Sequence, residues 1–209
     1  MSLEATHIRL ALDVQNKYQV KNLERYVNGV IYPDSRYVTA IDRLLTHPSD
    51  ISDSHWEKSD DFKKGWLVHL LADKIQKEIT QEKLPFVFEG QRGQGSEVWI
   101  KHTAIKVLQD LDDLRKFDIK LYLPYLKNVE NPNGEDLKKV CQYNEIFIKM
   151  YNQPKEVNID SYYQMLLDFG IGQELSSKVV FQAKEYNENK IIRSAVPKIY
   201  PKTIERFRI

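Results

Sequence analysis

The stretch Ser59-Asp60-Asp61-Phe62-Lys63-Lys64-Gly65-Trp66-Leu67-Val68-His69-Leu70-Leu71-Ala72-Asp73, running on to about Gln81, decides the fold class. Ser59, Asp60 and Asp61 offer an N-cap and first-turn acids, which satisfy and complement the free N–H groups at a helix start. Beyond them no proline interrupts the run as far as Gln81. His69 and Asp73 stand one turn apart, about 40° around the axis, so their side chains point the same way. Trp66, Leu67, Val68, Leu70, Leu71 and Ala72 surround them, which makes this turn at least partly buried. Gly65 costs ~1 kcal/mol in a helix interior relative to Ala. Close approach of another helix, an ion or a substrate would explain its presence.

Outward from this helix the same periodicity recurs. Leu3, His7, Leu10, Ala11 and Val14 fall on one stripe of a first helix that reaches about Tyr18. A second is expected from Val20 to Gly29, and a fourth from Ser96 as cap to about Phe117. Later helices are expected at 132–151, 159–168 and 171–185. Residues 32–59 hold Pro33, Asp34, Ser35, Pro48 and a run of serines and aspartates, so they read as a long packed loop with a short helix near Val38–Leu45. Only Phe86–Phe88 and Lys120–Leu123 look extended. The expectation is all-α: a single multi-helix domain over residues 1–190, then a basic tail over 191–209 lying solvated on the surface.

Composition narrows the function. A chain of 209 residues suits one domain. With 31 Lys+Arg against 30 Asp+Glu there is no global field to draw in nucleic acid or anionic lipid. The single Cys141 rules out an internal disulfide framework and reads as buried filler. No apolar run approaches the ~18 residues of a membrane span, and Met1–Leu12 lacks a leader's apolar core. A cytoplasmic protein is expected. Gln91–Gly95 lacks the Gly-Lys-Ser/Thr ending of a P-loop, and no His-Asp dipeptide occurs.

Taken alone, His69 and Asp73 read first as a core histidine bonded to an acid one turn away. Three further residues favour a metal. His7 lies on the inward stripe of the first helix, Asp34 follows Pro33 in a turn, and His47 sits between Thr46 and Pro48. Imidazole and carboxylate together suit zinc or a related first-row divalent ion. His55, between Ser54 and Trp56, reads as exposed. His102 reads as a half-exposed helix residue or a ligand of a second ion, and Asp110, Asp112 and Asp113 as a solvated face.

The order Thr6-His7, then Gly29-Val30-Ile31-Tyr32-Pro33-Asp34, then Arg43 with Thr46-His47, then Gly65 to Asp73 resembles the zinc-dependent phospholipase C family. Its fold is shared with single-strand-specific zinc nucleases. The resemblance covers roughly residues 5–75. It implies metal ligation by His7, Asp34, His47, His69 and Asp73, and cleavage of a small phosphoester by a metal-activated water. Trinuclear members add histidines and an acid further on. Here only His102 follows, with Lys106 one turn later, so one or two Zn²⁺ ions are expected. Asp34 is the candidate to orient or deprotonate the water. Arg43 is the leading candidate for holding phosphate, ahead of Arg36 and Lys101. Trp66 and Tyr32 are candidates for the substrate mouth, and Trp99 reads as core. A hydrolase of another ester or amide, and a non-enzymatic helical module built around the polar cluster, are the competing readings.

Overall fold

The structure is a computed structural model that describes residues 3–48 and 57–208. Its elements are α1 (Glu4–Val14), α2 (Leu23–Ile31), a 3₁₀ turn (Tyr32–Ser35), α3 (Arg36–Thr39), α4 (Arg43–Thr46) and α5 (Asp61–Lys83). They continue with α6 (Glu97–Leu114), α7 (Leu137–Tyr151), α8 (Ser161–Asp168), α9 (Gln173–Glu188), α10 (Lys190–Ala195) and α11 (Ile199–Arg208). Among the described residues there is no strand. The helices form one compact domain around one continuous apolar core.

The anticipated caps are in place: Asp60 accepts from Lys63 N–H at 2.9 Å to open α5, and Ser96 accepts from Trp99 N–H at 3.2 Å to open α6. The most closely packed pair is α2 against α5. At their start, the Asp61 carboxylate accepts from the backbone N–H groups of Asn22 and Lys21, at 2.6 and 3.1 Å. At their crossing the backbones nearly touch. A Cβ on Gly65 would lie 2.8 Å from the Val30 nitrogen and closer still to the Tyr26 carbonyl oxygen; one on Gly29 would run into the Phe62 carbonyl. Both glycines are therefore required by helix–helix approach, and Gly65 gains the reason its sequence position demanded.

Helix α1 is anchored from below by α6. Thr6 N–H donates to Asp110 at 3.0 Å, and its hydroxyl donates to Asp113 at 2.7 Å. Arg9 adds an ion pair to Asp113 at 2.6 Å. Tyr151 and Tyr162 also donate to Asp110, at 2.9 and 2.7 Å. Asp110 and Asp113 are thus fully buried, which corrects the expectation of a solvated acidic face. That face belongs to Asp112, which pairs with Lys116 four residues on.

Two other expectations change. Phe86–Phe88 lies within a 3₁₀ turn (Pro85–Phe88), and Lys120–Leu123 spans two short 3₁₀ turns, so neither is extended. Each is too short for periodicity to separate strand from turn. The basic C-terminal stretch is not a solvated tail: it forms α10 and α11, and Ile192, Val196, Ile199, Tyr200, Ile204 and Phe207 enter the core. Its charge misled because Lys190, Arg193, Lys198 and Lys202 face outward, with Arg206 bridging Glu78 and Glu82 of α5. The expected surface placement of His55 falls outside the described residues.

Candidate metal centre

Five polar side chains from four elements meet beside the α2–α5 crossing. His7 comes from α1, Asp34 from the 3₁₀ turn that Pro33 opens, His47 from the end of α4, and His69 and Asp73 from successive turns of α5. His7, Asp34 and His69 are almost fully buried; His47 and Asp73 reach the surface of the cluster.

The two carboxylates are shared between imidazoles. Asp34 presents Oδ1 to His47 Nε2 at 3.7 Å and Oδ2 to His69 Nε2 at 4.0 Å. Asp73 presents Oδ2 to His69 and His47 Nε2 at 3.9 and 4.0 Å, and Oδ1 to His7 Nε2 and Lys106 Nζ, both at 3.6 Å. The His7 and His69 rings stack with centroids 4.0 Å apart.

These separations are too long for hydrogen bonds and about right for ligands. Zinc bonds of about 2.0–2.1 Å place tetrahedral donor atoms about 3.3–3.4 Å apart. The observed separations are a few tenths of an ångström wider than that shell. His69 Nε2 and both Asp34 oxygens are buried with no hydrogen-bond partner. Such orphaned groups are costly and call for an explanation. The sets His7–Asp34–His69 and His47–His69–Asp73 each bring three ligand atoms within 4.8 Å of one another and could hold a metal ion.

Neighbouring groups point the imidazoles correctly. His69 Nδ1 lies 2.7 Å from the Val30 carbonyl, which can only accept, so Nδ1 carries the proton and Nε2 keeps its lone pair. The Thr46 hydroxyl donates to the Arg43 carbonyl at 3.3 Å, leaving its oxygen to accept from His47 Nδ1 at 3.0 Å. Again Nε2 is the free nitrogen. Burial, together with the neighbouring His7, holds His69 well below the usual histidine range. Burial likewise brings His47 down to about 4, although Asp34 and Asp73 pull the other way. Both are therefore neutral at pH 7, the form that ligates metals. Burial alone would raise the Asp73 carboxyl, but other charges, the Lys106 ammonium foremost, outweigh it and hold Asp73 well below its ordinary value.

The remaining candidates are spread more widely. Arg43 is exposed on α4, and its charge reaches His47 and Tyr37. Arg36 is engaged with its neighbour, stacking over the Tyr37 ring at 4.1 Å and donating to its hydroxyl at 2.6 Å. Lys101 pairs with Glu97 at 2.6 Å. Trp66 donates its indole N–H to the Thr46 carbonyl at 2.7 Å, tying the His47 loop to α5. Tyr32 is buried against Trp66 and Phe62, and its hydroxyl accepts from Asn133. Trp99 packs against the core as expected. His102 is half-buried against the Phe88 ring and joins neither ligand set.

Two residues were not picked out from sequence. Glu4 is buried beside the cluster, accepts from the Tyr143 hydroxyl at 2.8 Å, and is pushed well above the usual carboxyl range by burial and then by Asp34. Lys106 is nearly buried and faces Asp73. Its signal was there to read: it sits among Ala104, Ile105, Val107 and Leu108 on an otherwise apolar stretch of α6.

No family model, curated protein or solved structure matches this chain. Among the described residues no helix is long and apolar enough to cross a membrane.

Proposed function

We propose that the protein is a metal-dependent hydrolase of phosphate esters, with His7, Asp34, His47, His69 and Asp73 holding Zn²⁺ or a related first-row ion. The observation that carries the reading is the set of orphaned buried atoms, His69 Nε2 and both Asp34 oxygens, facing the nitrogens and oxygens of His47 and Asp73. Support for the zinc-dependent phospholipase C type of fold comes from the order and spacing of these residues on an all-helical domain.

When bound, the ion would supply Lewis acidity toward a phosphoryl oxygen and lower the pKa of a water to about 7. Asp34 has one oxygen toward His47 and the other toward His69, so one can ligate while the other orients or accepts a proton from the attacking water. The Val30 carbonyl and Thr46 hydroxyl hold His69 and His47 in the ligating tautomer. With those imidazoles neutral, Asp34 and Asp73 outweigh Lys106, and a divalent ion would turn the centre positive, as an anionic substrate requires. Arg43 stands at the rim as a second phosphate contact.

A structural metal is the second reading, favoured by the near-complete burial of His7, Asp34 and His69. One experiment separates the two. Protein purified without a His-tag is assayed for metal, then for hydrolysis of bis(p-nitrophenyl) phosphate and p-nitrophenyl phosphate with and without chelator. Near-stoichiometric metal with chelator-sensitive turnover supports the hydrolase. Bound metal whose removal lowers only the melting temperature supports the structural role, and metal-free protein overturns both.

A further inference from the structure

The number of cations in this cluster is limited by His69. Both ligand sets draw on it, yet its Nδ1 is committed to the Val30 carbonyl, so only the Nε2 lone pair is available. One lone pair bonds one ion, and the two sets are alternatives. The second positive charge is already part of the chain. Lys106, 8% exposed, brings Nζ within 3.6 Å of Asp73 Oδ1, the same oxygen that His7 Nε2 approaches at 3.6 Å from another direction. The opposite oxygen of Asp73 faces His69 and His47. A second ion on Oδ1 and His7 would lie beside a fixed ammonium, and like charges that close oppose it.

An ammonium is expensive to bury without a function for its charge. The 3.6 Å separation also exceeds the ~2.7–2.9 Å of a direct charge-assisted hydrogen bond, so Lys106 donors are left for another oxygen. We propose that Lys106 is the second cation of the centre: one metal ion on His69 and the Lys106 ammonium grip a tetrahedral phosphoryl group between them, with Asp73 as the carboxylate that spaces the two. This rests on the hydrolase reading above and assigns it a one-metal, one-lysine mode of phosphate binding.

The test uses the full chain, zinc and inorganic phosphate. Zinc stoichiometry and affinity are measured for the wild type, Lys106→Met and Lys106→Arg. Phosphate binding to each zinc-loaded protein is then measured by calorimetry, and folding is checked by circular dichroism. The wild type is expected to bind one zinc per chain. Lys106→Met should bind zinc at least as tightly, because a competing charge on Asp73 is gone, but phosphate about tenfold more weakly or worse. Lys106→Arg, which keeps the charge, should recover most of that loss and provides the comparison if the methionine variant folds poorly. Two zinc ions in the wild type, or equal phosphate affinity in zinc-loaded Lys106→Met, would overturn the assignment while leaving the metal site standing. A wild type that binds no zinc would overturn both.

Discussion

Replacing Gly65 by alanine probes the link between helix packing and the metal centre. Helix propensity alone favours the variant by ~1 kcal/mol. The added Cβ, however, would lie 2.8 Å from the Val30 nitrogen and closer to the Tyr26 carbonyl oxygen. Backbone atoms cannot step aside as a flexible side chain would, so α2 and α5 must separate by on the order of 1 Å. Overpacking of this kind costs about 1–3 kcal/mol. The same separation stretches the His69 Nδ1–Val30 hydrogen bond from 2.7 Å out of range. Its two buried partners are then unsatisfied, at a further ~1–3 kcal/mol. The expected net loss is about 2–4 kcal/mol in urea unfolding of the metal-free protein. Zinc affinity should fall about 10–100-fold, the usual consequence of losing a group that orients a ligand. A Gly65→Ala variant that is more stable, or that binds zinc like the wild type, would refute the coupling between the helix crossing and the site.

Other perturbations reach different parts of the molecule. His69→Ala and Asp73→Ala should each reduce zinc content sharply, whereas Asp112→Ala, on the surface of α6, should leave it unchanged when measured by elemental analysis. Trp66→Phe removes the donor to the Thr46 carbonyl but keeps the ring, and is expected to weaken zinc binding about tenfold with the fold intact by circular dichroism. Asp110→Ala leaves the buried Thr6 N–H and the Tyr151 and Tyr162 hydroxyls without their acceptor at once and should cost ~3–5 kcal/mol in chemical denaturation. His47 titrates near 4 in the folded chain against 6.5 in the unfolded one, so between those values the unfolded state binds more protons. Metal-free protein should therefore lose about 3 kcal/mol from this residue as pH falls from 6.5 to 4. Buried Asp113, pushed up to about 7, acts in the opposite direction over the same window, so the His47 share is read as the difference between the wild type and His47→Phe; the same pH dependence in both would contradict it.

The sequence revealed the long elements and the convergence. Asp60 and Ser96 announced α5 and α6 through cap chemistry that acts within one turn, and Gly65 announced the helix crossing. His7, His47, Asp34, His69 and Asp73 were legible as residue types that suit one ion. What could not be read was the polarity of burial. Asp110 and Asp113 look like any acidic helix face until Thr6, Arg9, Tyr151 and Tyr162 arrive from three other helices. Lys106 looked like the absence of an acid, and only the fold turns it toward Asp73. The C-terminal helices were masked by outward basic residues, because charge count carries no information about which face packs. Trp66 was singled out by residue type for a substrate mouth; that its indole N–H holds the His47 loop to α5 could not be read from the sequence.

The most direct measurement is anomalous diffraction at the zinc edge from crystals of the zinc-loaded protein. One strong peak is expected within about 2.0–2.2 Å of His69 Nε2 and of a carboxylate oxygen from Asp34 or Asp73. Zinc bound elsewhere on the molecule, with no peak at His69, would contradict it.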